Sequence, residues 1–197
     1  MRPRSFDETT VLDRLRAAFR QYGFDGLSLD QLSEATGLNR SSLYNAFGSK
    51  EGMMRAAVDA YCADSVQRFK EAMEMRPLRD GVQRLLRVAA GLEDPVSARG
   101  CLIGNLIAER AAGQSETRLF FASKLEALEG AIREGLEHAH AEGAIAPGAD
   151  PQALAQYLIV TFQGLRLVAQ AHPNPETLEH SVAIALDAFD RQCSRVS

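Results

Sequence analysis

The chain has 197 residues, of which 46% are apolar and 24% are charged, and it contains no tryptophan. This length suits one large domain, or a small domain followed by a larger one, and the composition is typical of a globular protein rather than a disordered or fibrous one. No segment approaches the roughly 18 to 20 uncharged apolar residues that span a bilayer, and the N-terminal stretch MRPRSFDETT has no apolar signal core. We therefore expect a cytoplasmic protein with no membrane partner.

The net charge of −4 argues against a general attraction to nucleic acid, but the charge is distributed unevenly. Residues 1–50 contain seven basic and six acidic side chains, and residues 35–50 contain no acidic side chain. One end of an acidic chain therefore offers a surface that tolerates phosphate.

Helical periodicity dominates the chain, and no stretch alternates in the manner of a strand. Ser5 followed by Glu8 is a capping-box pattern, which predicts the start of a first helix. The apolar positions of this helix recur at helical spacing and are Val11, Leu12, Leu15, Ala18, Phe19 and Tyr22. Gly23 and Gly26 are expected to end it.

A second, short helix is predicted by the capping-box pair Ser28 and Gln31. Its inward face is expected to comprise Leu29, Leu32 and Ala35. Gly37 follows at the position where a left-handed C-terminal cap is needed.

A third helix is predicted to begin after the N-cap residue Asn39 and to end at Gly48. Leu43 and Phe47 are its inward positions. The outward positions are Arg40, Ser41, Ser42, Tyr44 and Asn45.

A fourth and much longer helix is expected from Lys50 to about Met75, capped by Ser49 and linking two domains. Further helices are expected near residues 78–92, 97–112, 116–142, 151–171 and 175–194, separated by proline and glycine. The predicted fold class is all-α with about nine helices, divided into an N-terminal three-helix domain over residues 1–50 and a larger helical domain over residues 51–197.

Two short helices joined by a tight glycine-containing turn are typical of a helix-turn-helix, whose second helix enters the DNA major groove. In that geometry Arg40 would donate to guanine and Asn45 would bond an adenine edge, while Ser41 and Ser42 let the helix sit deep in the groove. Tyr44 and Lys50 are better placed for phosphates. The alternative is a small polar helix that only covers a surface.

The run SLDQLSEATGLNRSSLYNAFGSKEGM, preceded by AAFRQYGFDG, resembles the N-terminal DNA-binding domain of TetR-family transcriptional regulators. The matching features are the F-x-x-Y-G motif at residues 19–23, the Ser28 cap, Gly37, the L-Y-x-x-F motif at residues 43–47 and S-K-E at residues 49–51. The resemblance is strong over about residues 6–55, and beyond them it rests on length and helical layout.

This resemblance implies phosphate contacts for Tyr44 and Lys50, a cap at Ser28 that also touches the DNA backbone, and base reading by residues 39–45, which include Asn39. Many members have a serine and a basic residue at positions 39 and 40, and a glycine or threonine at position 42. The operator sequence of this chain therefore cannot be inferred from the operators of other members. The resemblance also implies that residues 51–197 form a ligand-binding and dimerisation domain.

A single recognition helix buries little surface, so dimers that read two half-sites are the usual solution. Apolar stripes on the last two predicted helices offer an isologous four-helix interface, with Gly164 allowing close approach. The predicted interface residues are Leu158, Phe162, Leu165, Leu178, Val182 and Phe189. The alternative is that both stripes pack within one chain.

The candidate lining of an effector pocket is Tyr61, Cys101, Asn105, Glu109, Phe121 and Tyr157. Cys101, Asn105 and Glu109 recur at four-residue spacing and thus share one helical face. Cys101 is either a small buried apolar residue or an electrophile and oxidant sensor, as some relatives use a cysteine in a similar setting. The three cysteines are widely spaced and odd in number, which excludes a disulfide framework or a zinc pattern.

The sequence thus favours a ligand-responsive DNA-binding regulator, a repressor by family default, which acts as a homodimer on double-stranded operator DNA and is released by an unknown small effector. The rival interpretations are a thiol-based sensor of the same fold that uses Cys101, a helical carrier that does not bind DNA, and an enzyme. No nucleophile elbow, phosphate loop or metal spacing supports an enzyme or a cofactor, and His138 and His140 diverge around their helix.

Overall fold

The computed structural model describes residues 6–93, 101–110 and 115–193, and over these ranges it contains nine helices and no strand. The helices are α1 (Glu8–Tyr22), α2 (Leu29–Thr36), α3 (Arg40–Phe47), α4 (Lys50–Met73), α5 (Leu78–Ala89), α6 (Leu102–Arg110), α7 (Ser115–Ala141), α8 (Pro151–Ala171) and α9 (Pro175–Cys193). The all-α prediction is confirmed. The expected helix over 97–112 begins partly outside the described residues, and its described part is α6.

The start of α1 differs from the sequence prediction. Its N-cap is Asp7, whose carboxylate accepts the backbone N–H groups of Thr9 and Thr10 at 3.2 and 3.3 Å. The Thr10 hydroxyl also donates to this carboxylate, and this bond, followed by the two backbone bonds, lowers the pKa of the Asp7 carboxyl. Ser5, the predicted capping residue, lies outside the described residues. Tyr22, one of the apolar positions at helical spacing, is 52% exposed at the end of the helix.

The chain forms two compact units. One comprises the described residues of Met1–Ala63 and Leu102–Phe121, and the other those of Asp64–Cys101 and Ala122–Ser197. In the first unit α1 packs against α2 and α6, and in the second α5 packs against α8 and α9. The first unit therefore adds the first part of α4, α6 and the start of α7 to the three N-terminal helices. The functional division at residue 50 stays a prediction.

The core of the second unit contains all six residues predicted as the dimer interface. Leu158, Phe162, Leu165, Leu178, Val182 and Phe189 are each at most 6% exposed within the single chain. Helical periodicity identifies the apolar stripe correctly, but α8 and α9 use this stripe to pack against each other and against α5. The six residues thus belong to the intrachain core, and a partner surface must lie on another face.

Two ion pairs connect the elements of this second unit at its surface. Arg79 Nε lies 2.9 Å from Asp190 Oδ2, and Arg87 Nη1 lies 2.7 Å from Glu179 Oε2. Both pairs join α5 to α9. Within the described ranges no helix is both long and apolar enough to cross a membrane.

Candidate nucleic-acid interface

Helix α2 is fixed at both ends by the caps that the sequence predicts. The Ser28 hydroxyl accepts the N–H of Gln31 at 3.2 Å, and the Gln31 side chain accepts the N–H of Ser28 at 2.8 Å, which completes the capping box. Gly37 ends the helix in the left-handed conformation, with φ 72° and ψ 11°. The inward face differs in one position, because Ala35 is exposed and Thr36 is buried.

Thr36 is buried because its polar groups are used within the turn after α2. Its hydroxyl donates to the carbonyl of Leu32 at 2.7 Å, and its own carbonyl accepts Arg14 Nη1 at 2.9 Å. The Ser33 hydroxyl donates to the carbonyl of Leu38. These bonds fix the three-residue turn that sets the angle between α2 and α3.

Helix α3 is short and held by one apolar anchor. The Asn39 side chain accepts the N–H of Ser42 at 2.8 Å, and Leu43 is 0% exposed. Around this anchor, Arg40, Ser41 and Asn45 are exposed, Tyr44 is 42% exposed and Ser42 is half-buried. Every outward position predicted from the sequence thus keeps surface on one short helix of a helix-turn-helix.

Lys50, the predicted phosphate contact at the start of α4, lies half-buried beside an aromatic ring. Its ammonium nitrogen is 4.5 Å from the ring centroid of Phe24, and the guanidinium of Arg110 is 4.3 Å from the same centroid. Arg110 also pairs with Glu51 at 3.4 Å. Phe24, which the sequence analysis does not single out, therefore positions a cation of α4 and a cation of α6.

Glu109 is engaged at a place other than the predicted effector pocket. Its Oε2 accepts the backbone N–H of Phe24 at 2.7 Å, and its Oε1 accepts that of Asp25 at 2.6 Å. Both carboxylate oxygens thus bind the turn after α1, where Gly23 has φ 70° and ψ −171°. The four-residue spacing with Cys101 predicted a shared face, but the backbone donors of this turn, which no side-chain pattern reveals, bind the carboxylate.

The other predicted pocket residues differ in exposure. Tyr61, Cys101 and Phe121 are at most 7% exposed, and Asn105 is half-buried. Tyr157 is 38% exposed on α8, donates its hydroxyl to the carbonyl of Ala185 at 3.4 Å, and borders an open cavity of about 360 Å³ between the first turns of α8 and the end of α9. An effector site lined by this set stays a prediction.

The cysteine thiols are poorly placed for fast chemistry. Cys62 and Cys101 are each 5% exposed, and burial together with the charge of Asp190 raises the pKa of the Cys193 thiol to about 11. We expect no thiol of the native protein to react rapidly with a disulfide reagent near neutral pH. Burial keeps the reagent from Cys62 and Cys101, and the raised pKa of Cys193 leaves little of its reactive thiolate form. Thiol titration with Ellman's reagent checks this, with the guanidinium-unfolded chain as the control in which all three react. Rapid reaction of one native thiol, mapped to Cys101, would contradict it.

A second apolar face, which the sequence analysis does not identify, lies on the solvent side of α8. Tyr157, Val160, Leu167 and Val168 are 38%, 71%, 67% and 45% exposed, and all lie within about 100° of the helix circumference. A side chain added at Gly164, in the middle of this face, would contact nothing within 4 Å. On α9, Ile184 is 67% exposed. We call these five exposed side chains and Gly164 the outer α8/α9 face.

Comparisons with known proteins agree with this geometry. A sequence profile described as "Bacterial regulatory proteins, tetR family" matches residues 11–57, and one described as "Tetracyclin repressor-like, C-terminal domain" matches residues 75–185. The chain is 28% identical to the uncharacterized HTH-type transcriptional regulator YezE of Bacillus subtilis, over 96% of this chain and 99% of YezE. It is also 28% identical to the HTH-type transcriptional repressor ComR of Escherichia coli, over 90% of this chain and 86% of ComR.

A solved structure extends the comparison to a DNA complex. The TetR family transcriptional regulator CifR, as a cysteine-substituted variant with a 26-base-pair operator duplex, superposes on this chain with a TM-score of 0.81. The two sequences are 30% identical, and the match covers 95% of this chain and 99% of CifR.

Proposed function

This chain belongs to the TetR family of transcriptional regulators, and from that premise we propose how its residues divide the work. It is a ligand-responsive, DNA-binding transcriptional regulator that acts on double-stranded operator DNA as a homodimer. We propose that it acts as a repressor, with α3 as the recognition helix. The observation that carries this assignment is the capped, acid-free α3 with five outward polar side chains around the single buried anchor Leu43.

Within this proposal the outward residues have two roles. Asn39, Arg40, Ser41, Ser42 and Asn45 read base edges. Arg40 carries the paired N–H donors that guanine accepts, the amide of Asn45 matches the acceptor and donor of adenine, and the two serines are short. Tyr44 and Lys50 contact phosphates, joined by the capping residue Ser28 at the N-terminus of α2. The operator complex of CifR, which is 30% identical to this chain, supports operator binding by this fold.

The experiment uses a duplex selected by the protein from a randomised library, together with a scrambled duplex of the same composition. We expect Lys50→Ala to weaken binding to both duplexes alike and to lower the magnitude of the slope of log affinity against log salt by about 2, because each subunit of the homodimer loses one phosphate contact. Arg40→Ala is expected instead to reduce the difference in binding free energy between the two duplexes, by about 1–3 kcal/mol for each half-site. Fluorescence anisotropy over a salt series measures both effects.

Arg84→Ala is the matched control, because Arg84 is an exposed cation of α5 in the other unit and should change neither quantity. If Lys50→Ala and Arg40→Ala bind like the unaltered protein, α3 is not the reading helix.

We propose that the homodimer forms through the outer α8/α9 face. Large apolar side chains with more than a third of their surface exposed are costly in water unless a partner covers them, and here they flank Gly164, where a second helix can approach closely. An isologous contact of α8 and α9 with the same helices of a second copy would give a four-helix bundle.

We infer that the effector is a small molecule bound by the larger helical domain. The remaining candidates for the lining of its site are Tyr61, Cys101, Asn105, Phe121 and Tyr157.

We also propose a cytoplasmic location, because a regulator of bacterial DNA works where the DNA is. The family consists of transcriptional regulators, and we assign this chain no catalytic role.

A further inference from the structure

Arg40, the first residue of the recognition helix, forms an ion pair with a carboxylate of the preceding helix. Arg40 Nε lies 2.8 Å from Asp30 Oδ1, and Arg40 Nη2 contacts the same oxygen. Both side chains remain open to solvent, with exposed fractions of 57% for Arg40 and 73% for Asp30. The hydrogen bond from Arg40 lowers the pKa of the Asp30 carboxyl, so Asp30 is an anion at neutral pH.

The folded state gains little from this pair. Exposed ion pairs contribute about 0–1 kcal/mol, since water screens the charges and two flexible side chains must be ordered. The α2–α3 turn is already fixed by the Thr36, Ser33 and Arg14 contacts and by the Asn39 cap. Asp30 lies in the first turn of α2, where a carboxylate is favoured by the helix dipole by about 0.3–1 kcal/mol. That effect does not require a pair with Arg40, and a carboxylate facing the base-reading surface weakens attraction to the polyanion, so the pair itself calls for another explanation.

The geometry of the pair leaves the useful edge of the guanidinium open. Asp30 binds the side edge, made of Nε and Nη2. The end edge, with one N–H from each terminal nitrogen, is the edge that can donate in parallel to O6 and N7 of guanine. An arginine held in this way has fewer rotamers to lose on binding a base, and its charge is already partly compensated when it lies near a phosphate.

We propose that Asp30 is a specificity-determining residue. It directs the end edge of Arg40 toward a guanine, and it lowers the binding free energy gained when Arg40 contacts a phosphate instead. The inference rests on the proposed function, because it requires α3 to read DNA. It adds a residue of α2 that does not itself need to contact a base. It also requires a G·C pair at the operator position that Arg40 reads.

The test compares Asp30→Asn with the unaltered protein on the selected duplex, on the scrambled duplex and on single-substitution duplexes. We expect the asparagine variant to bind the scrambled duplex several-fold more tightly, and the ratio of selected to scrambled affinity to fall by about tenfold. The preference lost should be for one G·C pair, the same pair whose preference is lost in Arg40→Ala. In an Arg40→Ala background, Asp30→Asn should leave the ratio unchanged.

Glu34→Gln is the matched control, because Glu34 is another exposed carboxylate of α2 and its neutralisation removes the same charge. It should raise affinity for both duplexes by the same factor and leave the ratio unchanged. If Asp30→Asn also changes the affinities for the selected and the scrambled duplex by the same factor, the proposal is overturned, since Asp30 would then be only a repulsive surface charge. Absence of salt-dependent binding by the unaltered protein would instead refute the proposed function itself.

Discussion

Replacing Leu167 with glutamate is expected to give a folded monomer that binds the operator about 10² to 10⁴ times more weakly than the unaltered protein, because linked recognition of two half-sites is lost. Leu167 is 67% exposed in the single chain, so the substitution removes no intrachain packing. In a dimer formed through the outer α8/α9 face, two glutamates would be desolvated close to the two-fold axis. Sedimentation velocity gives the oligomeric state, and anisotropy gives the affinity.

Leu119→Glu is the matched control for this prediction. Leu119 is also 67% exposed, but it lies on α7 in the other unit. This variant should remain dimeric and bind the operator normally. Circular dichroism should show the same helix content for both variants. A Leu167→Glu protein that sediments as a dimer at the concentration of the binding assay would place the interface on a different surface.

The helix-turn-helix could be predicted from the sequence because the residues that cap and anchor its helices act locally. Ser28 with Gln31, Gly37 and Asn39 act within three or four residues of their own positions, and the structure confirms each of them as a cap. Leu43 was identified as an inward position by helical spacing and is 0% exposed. For such features sequence distance and spatial distance are nearly the same.

The inner and outer faces of α8 could not be told apart in the same way. Periodicity shows that Leu158, Phe162 and Leu165 share a stripe, but it does not say whether this stripe meets α5 and α9 of the same chain or a second copy. The exposed residues Val160 and Leu167 are equally apolar, so the helix has two apolar faces, and only the tertiary packing distinguishes them.

The position of Glu109 was unpredictable for a different reason. Its partners are main-chain N–H groups 84 and 85 residues earlier in the sequence, and main-chain donors have no sequence signature. The one related feature that the sequence analysis identified was Gly23, which was interpreted only as the end of α1. The structure gives this glycine a second role, because its backbone presents the following two N–H groups to one carboxylate.

We expect Gly23→Ala to destabilise the first unit by about 1–3 kcal/mol through backbone strain, since φ 70° with ψ −171° is a conformation that side chains other than glycine rarely adopt. A Cβ atom at this position would also lie 2.7 Å from Glu109 Oε2. The carboxylate is the end of a flexible side chain and can move away, but it would then release the N–H groups of Phe24 and Asp25. Denaturant unfolding measures the stability, and hydrogen exchange reports on these two amides.

The Glu109 part of this effect can be separated from the strain. Glu109→Ala should remove the protection of the Phe24 and Asp25 amides and cost about 1 kcal/mol, at the low end for a charged acceptor because water competes at this exposed site. Gly23→Ala should then cost less in the Glu109→Ala background than in the unaltered protein, because no carboxylate remains to be displaced. Gly48→Ala is the control for strain alone, with φ 76° and no atom within 4 Å of the added carbon. Equal costs of Gly23→Ala in the two backgrounds would mean that Glu109 does not hold this turn in solution.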